Sequence, residues 1–135
     1  MAETLRQIRG EGLDAVLARV RKLAEAARAG MAALGLELFA ARPADGMTAV
    51  RLPAGIDGAA FLRRLEERFG IKLAGGQLQL KGKIFRIAHF GMIDELDTIA
   101  ALAAIEMTLH EFGRPVKLGS SVAAASEIFM RIRPA

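Results

Sequence analysis

Lys81-Gly82-Lys83-Ile84-Phe85-Arg86-Ile87-Ala88-His89-Phe90-Gly91 decides how the rest of the chain is read. β-Branched and aromatic residues stand between glycines and alternate with period two, which predicts a buried strand over 83–90. Side chains alternate across a strand, so Ile84, Arg86, Ala88 and Phe90 share one face. Lys83, Phe85, Ile87 and His89 share the other. Arg86 sits among apolar neighbours. Its guanidinium must be hydrated, paired with an acid inside the protein, or reserved for a ligand. A planar guanidinium matches a carboxylate because two parallel N–H groups meet two oxygens.

Working outward, residues 75–82 read as a loop, Gly75-Gly76-Gln77-Leu78-Gln79-Leu80-Lys81-Gly82. As a phosphate cradle it fails. It lacks the Walker spacing and does not run from a strand into a helix start. Residues 71–74 form a short apolar strand edge. Before them, Asp57 caps a helix whose buried stripe is Phe61, Leu62, Leu65 and Phe69, and which Gly70 closes. Arg63, Arg64, Glu66, Glu67 and Arg68 form its solvated face. Strands are predicted over 36–40 and 47–52, separated by the Arg42-Pro43-Ala44-Asp45-Gly46 turn. Upstream, Leu13, Val16, Leu17, Val20, Leu23, Ala27, Met31 and Leu34 repeat at helical spacing as one stripe. This long helix ends at Gly35, and its N-terminal half is expected to pack on something outside this chain. Residues 2–9 form a short helix halted near Gly10 and Gly12.

On the other side of the central strand, Asp94 caps a helix, and Asp97 adds charge to its first turn. Ile99, Leu102, Ile105, Leu109 and Phe112 make the buried face, and Gly113 and Pro115 end it. Residues 117–121 are a linker in which Ser120 or Ser121 caps a last helix over 122–131, carrying Ile128, Phe129 and Ile132. The order is helix, strand, strand, helix, strand, strand, helix, helix. It defines an α+β fold: a small, mainly antiparallel sheet with helices packed chiefly on one face, preceded by a long amphipathic helix.

Composition sets the outer limits. A chain of 135 residues with 53% hydrophobic and 25% charged residues suits a single domain, 1–135, with a real core. The absence of cysteine excludes disulfides and thiolate metal sites and fits a reducing cytosol, so a cytoplasmic protein is expected. No secretory signal is visible at the N-terminus. His89 and His110 are too few and too far apart for a metal site, and fit packing and surface hydrogen bonding. The net charge of +4 invites a nucleic-acid reading. Against it, 19 Lys and Arg are mixed along the chain with 15 acids, and no Trp or Tyr offers a stacking platform. The most apolar run, 99–105, stops at Glu106, far short of the ~20 residues of a membrane span.

With the central strand and its flanks in place, the chain resembles the C-terminal small domain of the class V, fold-type I, pyridoxal-phosphate-dependent aminotransferases. The nearest branch is the alanine–glyoxylate or serine–pyruvate aminotransferase group. The long helix followed by Leu34-Gly35-Leu36-Glu37-Leu38-Phe39 carries part of the match. So does Gly75-Gly76-Gln77 ahead of Lys81-Gly82-Lys83. The most specific element is Ile84-Phe85-Arg86-Ile87-Ala88-His89-Phe90-Gly91, and the Asp94 helix with its spacing to Gly113 completes it.

The resemblance implies that Arg86 binds the α-carboxylate of a small amino acid (alanine or serine) or a 2-oxo acid (glyoxylate or pyruvate). It also implies pyridoxal 5'-phosphate in the intact parent enzyme. The large domain that would hold the cofactor is absent from this chain. None of Lys22, Lys72, Lys81, Lys83 and Lys117 resembles the cofactor lysine, so no catalytic residue, no bound cofactor and no activity are expected here. The missing large domain is the expected partner, and a homo-oligomer is compatible with the family. A reading from another class is a stand-alone carboxylate-binding regulatory domain or a protein-interaction module.

Overall fold

The computed structural model describes residues 1–131. Its elements are α1 (Ala2–Glu11), α2 (Leu13–Ala33), β1 (Met47–Arg51), α3 (Gly58–Phe69), β2 (Ala74–Gly75), a 3-10 turn (Leu78–Leu80), β3 (Ile84–Ala88), α4 (Glu95–Glu111) and α5 (Ser120–Met130). The three strands form one antiparallel sheet in the order β1-β3-β2, so the arginine-bearing strand is the central one. Arg86 stands opposite Ala49 of β1 and Ala74 of β2. The fold is the α+β arrangement expected from the sequence.

Alternation divides the sheet into two faces. Thr48, Val50, Phe85, Ile87 and His89 point into the core and are buried. Helices cover that face: α2 packs on β1, α3 on β3, and α4 on α2, α3 and α5. Phe61 of α3 meets the Phe85 ring at 5.6 Å and the Phe112 ring at 6.0 Å, which ties helix layer to sheet. α2 and α5 lie close because Gly30 sits between them. A Cβ at Gly30 would meet the Leu102 side chain at 2.9 Å and the Ser121 carbonyl oxygen at 3.3 Å.

Local signals placed the helix starts of α3 and α4 well. Asp57 accepts the Ala60 N–H, and Gly70 closes α3 in the left-handed conformation. At α4, Asp94 and Asp97 form a reciprocal capping box, beyond the simple charge effect expected of Asp97.

Several expectations need correction. The strand expected over 36–40 is reduced to a single bridge, Leu38 to Val50, with Phe39 N–H donating to the Ala49 carbonyl. Strand β3 is shorter than 83–90, and the edge strand lies at Ala74–Gly75, at the end of the stretch 71–74. Helix α1 runs through Gly10 and stops only at Gly12, whose φ is 91°. The stripe of α2 needs no such correction: the chain buries its C-terminal half and leaves its N-terminal half open, in keeping with the expectation for that half. Leu13 and Leu17 are 62% and 51% exposed, whereas Val20, Leu23, Ala27 and Met31 are buried.

Neither Ser120 nor Ser121 caps α5. Gly119 is the N-cap, and the Glu106 carboxylate of α4 accepts the backbone N–H groups of Gly119 (2.7 Å) and Ser121 (2.6 Å). Capping by a residue 13 to 15 positions upstream leaves no local sequence signature. The helix begins at Ser120, two residues earlier than expected, and Ile132 lies outside the described residues.

Candidate functional site

Arg86 is held by the middle of the central strand, where the backbone is ladder-bonded on both sides. Its two cross-strand neighbours are alanines, and residues directly opposite in an antiparallel pair project to the same face. Small side chains on both flanks leave the guanidinium room above the sheet. The residue is half-buried. Its Nε donates to the Gly75 carbonyl at 3.0 Å, and among the described residues it forms no ion pair. Of the three fates open to Arg86 from sequence, pairing with an internal acid is therefore not the one realised.

Arg86 also lines an open cleft of about 570 Å³ whose wall is mostly apolar. Met47, Ala74, Ala88 and Ile93 contribute apolar surface, and Asp97 is also among the lining residues. One Asp97 oxygen is committed to the Asp94 N–H. Half-burial raises the strength of a charge pair above its value in water, and the cleft supplies space for a small anion. The arrangement fits recognition of a carboxylate with a small organic group attached.

The sequence placed Arg86 correctly on the strand but missed its anchor. From sequence, Gly75 and Gly76 read as loop. Two successive glycines did signal a close approach, which the structure locates. A Cβ at Gly76 would fall 2.1 Å from the Leu80 carbonyl oxygen.

The other titratable groups play different parts. His89 is buried, with Nε2 2.8 Å from Thr48 Oγ1, while His110 is exposed at the end of α4. Burial, helped by the Arg28 guanidinium, pushes the His89 imidazole down to about 4 from its ordinary 6.5, with Asp45 opposing. The ring is therefore neutral at pH 7. Lys22 pairs with Glu95 at 2.8 Å and Lys72, at the cleft rim, pairs with Glu66 at 3.4 Å. Lys81, Lys83 and Lys117 are exposed. Among the described residues Lys72 lines the open cleft but is paired with Glu66, and no lysine stands in an enclosed pocket of the kind a Schiff-base lysine occupies. Among the described residues no group of three metal-ligating side chains occurs, and no helix is long and apolar enough to cross a membrane.

The fold is a helix-backed antiparallel sheet with a half-buried arginine at its centre, and the comparisons place that fold among known proteins. No family model matches the chain. It is 41% identical to an uncharacterized aminotransferase of Methanocaldococcus jannaschii over 90% of its own length and 32% of the relative's. It is also 41% identical to the serine–glyoxylate aminotransferase of Hyphomicrobium methylovorum, over 90% of this chain and 31% of that protein. The crystal structure of ureidoglycine-glyoxylate aminotransferase from Bacillus subtilis superposes with a TM-score of 0.89 at 31% identity, over 93% of this chain and 33% of that one. This chain is a homologue of the class V aminotransferases and has the fold of their C-terminal domain. It spans about a third of the length of the relatives it matches.

Proposed function

We propose that this chain is the single-domain, substrate-closing part of a larger aminotransferase and contributes Arg86 as the group that binds the substrate carboxylate. The intact protein would exchange an amino group between a small amino acid, alanine or serine, and a 2-oxo acid, glyoxylate or pyruvate. Homologous aminotransferases are pyridoxal-phosphate enzymes. The cofactor supplies the electron sink, and in this proposal a large domain outside this chain holds it. By itself the chain is inactive.

The observation that carries the reading is the state of Arg86. A half-buried guanidinium in the centre of a sheet, lining a cleft and without an acidic partner among the described residues, is suited to an anion from outside. Held on a rigid strand, it fixes a substrate by its carboxylate and so orients the carbon that reacts. A cytoplasmic setting is part of the proposal and rests on the absence of cysteine.

In the intact enzyme, Arg86→Ala should raise the KM for amino acid and 2-oxo acid far more than it weakens retention of the cofactor. Equal loss of substrate use and cofactor binding would remove Arg86 from the substrate site.

A different observation bears on what the chain contacts. Met1, Leu5, Leu13 and Leu17 are all more than half exposed along α1 and the start of α2. Such a surface fits contact with another domain or chain, the large domain in the first instance. A stand-alone binding or interaction module predicts instead that the cell makes this chain at its own mass, 14.4 kDa.

A further inference from the structure

We infer that the Gly75–Gly76 turn is a positioning device that makes Arg86 present its two terminal nitrogens, Nη1 and Nη2, end-on to a carboxylate. The inference rests on the carboxylate-binding reading of Arg86 and adds the geometry of binding and the residue that enforces it.

A guanidinium offers a carboxylate two bidentate edges. The side-on edge uses the Nε–H and one terminal N–H. The end-on edge uses one N–H from each terminal nitrogen. In this protein Nε–H is spent on the Gly75 carbonyl at 3.0 Å, so the side-on edge is occupied. What remains for a ligand is the end-on edge.

The acceptor is itself fixed. Gly75 stands opposite Phe85 in the ladder, and the Gly76 N–H donates to the Ile84 carbonyl at 3.2 Å. The chain then doubles back through the 3-10 turn, whose Leu80 N–H donates to the Gln77 carbonyl at 2.9 Å. The Leu80 carbonyl in turn accepts from Lys83 N–H at 3.0 Å. Only glycine allows this return at position 76. A Cβ there would lie 2.1 Å from the Leu80 oxygen, 2.6 Å from its carbonyl carbon and 2.9 Å from Ile84 Cγ1. Two of these atoms are backbone, so relief requires moving the loop, and the Gly75 carbonyl with it.

The device matters because the flanking Ala49 and Ala74 do little to confine a long side chain. The bond to Gly75 orders Arg86 before a ligand arrives, which lowers the entropy lost on binding. Gly76 is thus a positioning residue acting through the Gly75 carbonyl.

Arginine side-chain ¹⁵N–¹H NMR on the intact protein that carries this chain tests it, with Arg86→Lys assigning the signals and glyoxylate as the probe. The Arg86 Nε–H should exchange about tenfold more slowly than that of exposed Arg63 before any ligand is added. Glyoxylate should shift the terminal Nη signals of Arg86 and leave Nε–H nearly unmoved. Gly76→Ala should lose the Nε–H protection and bind glyoxylate about tenfold more weakly, with the helical amide spectrum retained. Exchange at the Arg63 rate, or a glyoxylate shift largest at Nε–H, would overturn the end-on assignment while leaving Arg86 as a carboxylate ligand. Unchanged protection or unchanged affinity in Gly76→Ala would overturn the role of Gly76. If that variant does not fold, the two wild-type measurements decide. No response of Arg86 to glyoxylate would overturn the carboxylate reading, and this inference with it.

Discussion

His89 Nε2 and Thr48 Oγ1 lie 2.8 Å apart in the closed interior, one residue past the end of β3 and across from β1. With the His89 N–H donated to the Gly46 carbonyl at 3.0 Å, this contact clamps the strand that carries Arg86 to its neighbour. The ring lies on the face opposite Arg86 and holds the platform from behind.

Stability should depend on pH through this ring. In the unfolded chain His89 takes up a proton near its ordinary 6.5, and in the folded chain only near 4. Between those values the unfolded state binds more protons, so stability is complete above pH 6.5 and falls as the pH drops towards 4. The loss is on the order of 3 kcal/mol. His89→Gln keeps a donor for Thr48 and removes the titration. Thermal melts from pH 7 to 4 should show a shallower decline for the variant, and parallel curves would assign the pH dependence to other groups.

The two N–H groups capped by Glu106 open α5, that of Ser121 buried and that of Gly119 part-buried. Glu106→Ala leaves both without a partner and should cost about 2–4 kcal/mol, read as a lower urea midpoint at unchanged slope. Glu106→Gln should cost less, because its carbonyl still accepts one bond while its amide NH₂ faces the other N–H. A null effect of the alanine variant would mean that water replaces the carboxylate.

Phe61 is fully buried and touches both the central strand, through Phe85, and the end of α4, through Phe112. Phe61→Ala should destabilise by about 3–5 kcal/mol, because neither rigid neighbour can close the cavity. Phe61→Leu should retain more than half of that. Chemical denaturation of the two variants compares them directly.

The exposed leucines of α2 should behave in the opposite way. Leu13→Ser with Leu17→Ser removes apolar area that the fold does not bury, so stability should change by less than about 0.5 kcal/mol per site. Self-association, measured by sedimentation, should fall. A large loss of stability would show that these side chains pack within the domain.

Sequence alone determined whatever depends on neighbours along the chain. Period-two alternation identified the strand around Arg86. Asp57 and Asp94 announced α3 and α4, because a cap acts over only three residues. Position within the strand put Arg86 among apolar neighbours and so raised the question of its partner. Tertiary structure decided the answer. The Gly75 carbonyl lies 11 residues from Arg86, and the Glu106 carboxylate lies 15 from Ser121. The boundary between buried Val20 and exposed Leu17 is set by where α5 and the sheet happen to pass. Such contacts arise from chain segments that meet only after folding. Helical or strand periodicity records which side of an element is apolar, and not what, if anything, comes to cover it.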